Sequence, residues 1–484
     1  MTLKKHRSIL AAFILVTFVL VVRWDSSVAS EHQPNVLLRI EIADEAQLER
    51  FAALKIPVYA HLWNESGEPY LPVGPNREQQ IQIEREGFSA RVLDSNPQGA
   101  YYYLVFKPYP DFQFGMPSGI VTLDVTPDHV LIRTSPADVE ELAKSGFEIS
   151  RLWLEPLVLP TYNAELEKLS AVTYDAAIQT MIDQVNSTTA YNYVGNLSGA
   201  WQIRVNGNPY TLSKRYSYAE IPIKKATRFV YEHLTGLGLY TYYDHYSLYG
   251  VELRSVIAEQ PGVTDPDCIV LMVGHLDSIS PDPYNNAPGA DGNASGSAGV
   301  LIGADILHQY QFACTIRYIL FTGEEQGYWG SKAYADDVYG AGENVVAVVN
   351  LDMLGYNGDQ AKVIELHTRP GNAGDSSIAT LFKGVIQTYG INLTTQILED
   401  GLSFSDHSPF WNKGYSAILC IEDWYGDHTP YYHSTSDRLN TLDLSYLRNY
   451  IKAAVGSVAH LAIPIEPTPE PVVTFYFPLL FNSE

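Results

Sequence analysis

The stretch FTGEEQGYWGS, Phe321 to Ser331, sets two carboxylates side by side, Glu324 and Glu325, just after an apolar run. Adjacent acids are most often a solvated loop. Two acids with different tasks, one binding a metal and one moving a proton, would also stand in this place. Other segments carry further residue types that zinc accepts. CIVLMVGHLDS supplies His275 and Asp277, APGADGNASG supplies Asp291, VVAVVNLDML supplies Asp352, and DWYGDHTPYYHSTSD supplies His433. Each alone has a plain explanation: a satisfied polar residue after a strand, or an Asp capping a turn before Gly. Their coincidence is the signal, because each follows a strand-like run or sits on a polar loop. Two His and three carboxylates suit a pair of zinc ions sharing a bridging carboxylate.

Such side chains need strands to aim them. CIVLMVGH is a continuous apolar run, as expected of a strand buried on both faces. SAGVLIGADILHQY then reads as a helix, TIRYILF as a strand, WGSKAYADDV as a helix and NVVAVVNLDML as a strand. A helix over Ile378 to Thr388 and a strand at SAILCIE follow. The alternation over residues 161–462 predicts an α/β domain whose mixed, mostly parallel central sheet is flanked by helices. Ligands of such sheets gather in the crevice outside the carboxyl ends of the strands. Residues 31–160 carry a weak internal repeat, read as small βαβ-like modules of a smaller α+β N-terminal region, a prodomain or accessory domain. In its last unit Ser135-Pro136 begins a helix and Gly146 ends it. No cluster of metal-ligand residue types is expected in this region.

The chain of 484 residues, 46% apolar and 18% charged, is globular and long enough for two or three domains. Its 55 acidic and 31 basic residues give a charge of −24, which excludes a nucleic-acid partner. Residues 1–30 read as an export signal: Lys4, Lys5 and Arg7, then an apolar run from Ile9 to Val22, then SSVAS. That run is short of the roughly 20 residues that span a bilayer. A secreted, periplasmic or cell-surface protein with no stable membrane span is expected. Cys268, Cys314 and Cys420 are expected as buried free thiols, with a Cys268–Cys314 disulfide the alternative in an oxidising compartment. Residues 463–484 form a Pro-rich spacer and an apolar tail, either docked on the domain or acting as a sorting signal.

The motifs GHLDS, APGADGNASGSAGVL, FTGEEQGYWGS, NLDMLGY, SDHSPFWNKGYSAI and YYHSTSD occur in that order. Together they resemble the co-catalytic di-zinc exopeptidase family, which includes secreted bacterial leucyl aminopeptidases and, more distantly, glutamate carboxypeptidases and glutaminyl cyclases. The likeness runs from about Ala190 to Ala462, with Arg215 to Ser217 (RYS) near its start. It implies that Asp291 bridges two zinc ions, that His275 and Asp352 complete one site, and that Glu325 and His433 complete the other. Glu324 would be the general base, and Asp277 would hold the second ring nitrogen of His275. Two dications would acidify a shared water and polarise the scissile carbonyl.

This chain departs from the family at two places. The family commonly shows GADDNASG with a cis peptide after the bridging Asp; here Asp291-Gly292 stands there, and a cis bond is expected between them. Leu402 takes the place of a Tyr that binds the tetrahedral intermediate in the family, so either another donor, such as Tyr425, substitutes or transition-state stabilisation differs. By the same resemblance Met353, Phe404 and Tyr425 fall at the pocket for the substrate's first side chain, which would favour Leu, Phe or Met. The implied function is a zinc aminopeptidase acting on peptide N-termini. A carboxypeptidase or dipeptidase would instead need a cationic clamp, for which Lys332, Arg369, Lys413 and Arg438 are candidates. A glutaminyl cyclase and a non-catalytic receptor-like relative are the remaining alternatives.

Overall fold

A computed structural model of the chain describes residues 34–63, 68–107, 115–127, 129–157 and 172–465. The expected export signal and the tail from residue 466 onward lie outside them.

The N-terminal repeat resolves into two modules. The first runs β1 (Leu37–Glu41), α1 (Glu45–Ala53), β2 (Leu62–Trp63), β3 (Pro69–Val73), α2 (Arg77–Arg85) and β4 (Ala90–Asp94). Its strands lie in the order β2-β3-β1-β4, and every pair is antiparallel. This is a ferredoxin-like arrangement. The second runs β5 (Tyr102–Phe106), β6 (Val121–Val125), β7 (His129–Arg133), α3 (Pro136–Lys144) and β8 (Glu148–Leu152). Its order, β6-β7-β5-β8, repeats the first, again with all pairs antiparallel. The caps of α3 are those expected: Ser135 accepts from the Asp138 amide, Pro136 opens the helix, and Gly146 takes φ +91°.

The larger domain begins with α4 (Ala176–Gln184), α5 (Ser187–Leu197), the hairpin β9 (Gln202–Val205) and β10 (Asn208–Thr211), and α6 (Ile221–Gly236). Then come β11 (Tyr240–Leu248), β12 (Val251–Gln260), β13 (Asp265–His275), α7 (Gly296–Leu307), β14 (Cys314–Phe321), α8 (Trp329–Gly340) and β15 (Asn344–Leu351). The chain continues through β16 (Val363–His367), α9 (Ala373–Thr388), β17 (Thr394–Leu398), α10 (Ser408–Asn412), β18 (Ala417–Glu422) and α11 (Leu444–Ala462). Eight strands form one sheet in the order β11-β12-β14-β13-β15-β18-β16-β17. Its centre, β14-β13-β15-β18, is parallel throughout, while β11, β12 and the β16–β18 pairing add antiparallel edges. The predicted mixed, mostly parallel sheet is therefore present.

Both faces are covered, which is why β14 is buried at all eight residues. One face packs on α4, α5, α6, α7, α9 and α11 through residues such as Val230, Leu301, Phe382 and Ile451. The other packs on α8 and α10 through Tyr334, Val338, Phe410 and Trp411. The cysteines correct an expectation: Cys268 on β13 and Cys314 on the neighbouring β14 form a disulfide, and only Cys420 is a buried free thiol. The parallel pairing of the two strands brings them together across 46 residues, and closing a loop of that length stabilises a fold by about 4 kcal/mol in the chain-entropy account.

Candidate active site

Because β13, β14, β15 and β18 run parallel, their carboxyl ends open on one edge. His275 is the last residue of β13, Glu324 and Glu325 follow β14, and Asp352 follows β15. His433 arrives from the loop between β18 and α11. One atom each of His275, Glu324 and Asp352 lies within 4.8 Å of the others. His275 Nε2 is 3.2 Å from Asp352 Oδ1 and 3.8 Å from Glu324 Oε2. Beside them His433 Nε2 is 3.1 Å from Glu325 Oε2. The two expected His–carboxylate pairs are thus both formed.

Met353 (φ +52°), next to Asp352, Tyr328 (φ +62°), three residues after Glu325, and His433 itself (φ +44°) hold left-handed backbone. Each such conformation costs a non-glycine residue on the order of 1–3 kcal/mol, and it persists where the surroundings impose it. Here the clamp on Met353 is visible. Its amide donates to Asn293 Oδ1 (3.3 Å), and the next amide, Leu354, donates to Ser295 Oγ (2.9 Å). Asn293 also donates to Leu351 O (2.8 Å), and Gly296 must lack a side chain because a Cβ would come within 2.2 Å of that carbonyl.

Asp277 stands at the second ring nitrogen of His275, nearer through its backbone than through its carboxylate. His275 Nδ1 sits 3.2 Å from the backbone carbonyl of Asp277 and 3.6 Å from its carboxylate. The carboxylate instead accepts from Ser217 Oγ (2.9 Å) and from the Glu324 amide (3.3 Å), and Ser217 Oγ accepts from Gly323 N–H (3.0 Å). Asp277 therefore fixes the loop that carries the adjacent acids. Ser405 donates to Asp352 Oδ2 (2.7 Å), leaving Oδ1 toward His275.

Asp291, expected to bridge, is not brought into this group. Its Oδ1 accepts from the Gly355 amide (2.9 Å), its own amide donates to Asp437 Oδ1 (2.9 Å), and its carboxylate faces Glu422. Burial and that neighbour push the Glu422 carboxyl well up. The cis peptide lies at Gly292–Asn293, one residue after the expected bond.

Phe404 and Met353 do come together, in one apolar cluster with Leu402 and Trp424, but the cluster also contains Leu62, Tyr70 and Phe106 of the N-terminal modules. Tyr425 is elsewhere: it is 45% exposed, and its hydroxyl donates to Asp400 Oδ2 (3.2 Å). Asp400 in turn pairs with the fully buried His367 (Nδ1 to Oδ2, 2.9 Å), whose Nε2 lies 3.0 Å from Glu365. Burial alone would lower the His367 pKa; Asp400 and Glu365 outweigh it and raise it from 6.5 to about 9. A raised folded pKa gives stability that is complete below pH 6.5 and is lost as pH climbs through 9, worth about 3 kcal/mol here. The melting temperature should fall across that window, and His367→Gln should flatten the slope. An unchanged slope in the variant would assign the dependence to other groups.

Sequence reasoning missed four site residues. Tyr328 and Tyr432 present hydroxyls here, where Tyr425 was expected to serve, and both bind Glu148, the first residue of β8. Nothing local to Glu148 marks it, since it reaches the site only through the packing of the second module. Asp406, buried beside His275 and Asp352, is held up to about 7 by burial. The four candidate clamp cations are engaged elsewhere: Arg369 by Asp375, Lys332 and Lys413 by Asp336, and Arg438 by Asn286.

The donor set fits divalent cations. Glu325 Oε1 is buried without a hydrogen-bond partner among the described residues, and His433 Nδ1 is likewise unmet. Burial opposes charge on His275, yet Glu324 and Asp352 outweigh it and push the imidazole far up; Glu325 does the same to His433. A buried field this negative calls for positive charge.

Residues 255–458 match Peptidase family M28. The chain is similar to a probable leucine aminopeptidase of Arthroderma otae, 33% identical over 220 residues that cover 43% of this chain and 57% of the relative. Leucine aminopeptidase 1 of Trichophyton rubrum is 32% identical over 219 residues, covering 43% and 58%. The chain thus spans little more than half the length of the curated relatives it matches. The fold is that of the LapA aminopeptidase of Legionella pneumophila (TM-score 0.58, 19% identity, 76% of this chain and 99% of that one) and of LapB from the same organism (0.57, 16%, 75% and 99%).

Proposed function

We propose that this chain, whose residues 255–458 are a Peptidase family M28 domain, is an exported zinc aminopeptidase that removes single residues from peptide N-termini. The observation that carries the reading is the meeting of His275, Asp352 and Glu324 beside the Glu325–His433 pair at the carboxyl edge of the parallel strands. Each His–carboxylate pair would hold one ion, two per chain. Zinc so held would supply Lewis acidity and a nucleophilic water at neutral pH. Glu324 takes the proton of that water as it attacks and returns it to the leaving amine. Asp277 keeps Glu324 in reach by accepting from its amide. The hydroxyls of Tyr328 and Tyr432 are the donors placed to meet the developing oxyanion. The unpaired acids favour an ammonium at the substrate's end, whereas a carboxylate would need one of the cations already engaged elsewhere. Met353 and Phe404, packed in one apolar cluster with Leu402, would wall a pocket for Leu, Phe or Met. Export is supported by the basic-apolar start of the sequence and by the Cys268–Cys314 disulfide, a bond typical of oxidising compartments.

The test is a panel of aminoacyl anilides beside their N-blocked analogues, with and without a chelator. Cleavage of the unblocked Leu, Phe and Met derivatives, abolished by chelation and restored by Zn²⁺, is expected. Equal cleavage of N-blocked substrates, or indifference to the chelator, would refute the reading. Pyroglutamate released from a Gln-initiated peptide would redirect it to acyl transfer.

A further inference from the structure

The N-terminal modules lie over the site just described, and together with the larger domain they form one compact unit. Glu148 of β8 is 5% exposed. Its Oε2 accepts from Tyr432 OH (2.7 Å) and stands 4.0 Å from His433 Nε2, and its Oε1 accepts from Tyr328 OH (3.2 Å). Its charge is felt by Glu324, and it in turn feels Glu325, beside the His433 that it faces. Among the described residues no Lys or Arg pairs with it. A carboxylate buried with only two hydroxyls for support is costly unless a cation lies close by. The second module also fills the apolar pocket: Phe106 meets Phe404 edge-on, with ring centres 5.9 Å apart. Polar ties fasten the cover, including Tyr103 to Tyr249 (2.6 Å), Tyr216 to Glu140 (2.8 Å) and Lys332 to Glu155 (2.8 Å). His275, Glu324, Glu325 and Asp352 are all 6% exposed or less with the cover in place.

We propose that Glu148 is a metal ligand of the resting state, donated by the N-terminal region, and that this region thereby holds the site closed. The idea rests on the peptidase reading. The Glu148 carboxylate stands in for the carboxylate of the amino acid that peptide hydrolysis releases: it takes the hydroxyls of Tyr328 and Tyr432 and the open side of the His433 pair. Productive binding then requires β8 to withdraw, with Phe106 leaving the pocket in the same movement.

The test compares full-length wild type with Glu148→Gln, which preserves side-chain size and a hydrogen-bonding oxygen, and Glu148→Asp, which draws the carboxylate back by one methylene. Each is titrated with Co²⁺, and the visible ligand-field spectrum, the bound Co²⁺ per chain, the melting temperature and the hydrolysis of leucine p-nitroanilide are recorded. Expected for Glu148→Gln are an altered Co²⁺ spectrum at unchanged stoichiometry and at least a 10-fold gain in kcat/KM, with smaller changes of the same sign for Glu148→Asp. Spectrum and rate identical to wild type would overturn the proposal. So would loss of bound Co²⁺ together with a slower rate, which would make Glu148 a supporting ligand of the working site. An altered spectrum with no hydrolysis by any form would keep the Glu148–metal contact and overturn the peptidase reading instead.

Discussion

Replacing Glu324 by Gln, in the Glu148→Gln background where the site is open, should lower kcat about 10²–10⁴-fold while bound zinc stays at its parental level. The amide keeps the shape of the side chain and cannot accept a proton. Glu324 is buried and faces His275 from 3.8 Å, and its backbone amide is anchored on Asp277. Burial first, and then the charge of Glu148, push its carboxyl well above the ordinary range, with His275 pulling the other way. A base held high is a better proton acceptor, and removing the Glu148 charge should lower it. The comparison with Glu325→Gln separates the two neighbours. That variant should lose metal from the His433 side before it loses chemistry. Equal zinc loss in both variants, or a Glu324→Gln enzyme within 10-fold of its parent, would show that the adjacent acids do not divide the work.

The second large effect is structural. Arg215 is wholly buried and donates to four backbone carbonyls: Leu276 (2.6 Å), Leu197 (2.5 Å), Pro288 (2.6 Å) and Gly289 (2.8 Å). It binds the loop after His275 to the loop that leads into Asp291, and its charge offsets Asp437, Asp277 and Glu325. Arg215→Met should destabilise the protein by about 3–5 kcal/mol, because four carbonyls lose their donors and buried acids lose their counter-charge. Arg215→Lys should recover only part of this, since an ammonium lacks the planar fork that reaches several carbonyls at once. Thermal unfolding with metal content per chain measures both. A melting temperature within 2 °C of wild type for Arg215→Met would show that water takes over the four contacts.

These residues divide what was legible from what was not. Apolar runs ending in HLD, TGEE and NLD announce buried parallel strands whose last residues face a common edge, because a strand covered on both faces has nowhere else to put polar side chains. From that alone His275, Glu324, Glu325 and Asp352 could be placed, and YYHSTSD added His433. The cysteines were visible, but their bond depends on the register between β13 and β14, which periodicity does not report. The N-terminal repeat was visible as strand, helix and strand, yet only pairing across the module revealed two antiparallel sheets of one order.

Sequence by itself determined the domain class, the strand ends and the residue types gathered there, because these follow from local hydrophobic periodicity and turn chemistry. Tertiary structure alone decided where each carboxylate points. The amide of Gly355 holds one oxygen of Asp291, and the docking of a distant module brings Glu148 to within 4.0 Å of His433. Such choices are made by hydrogen bonds and packing between segments far apart in the chain, which no local pattern encodes.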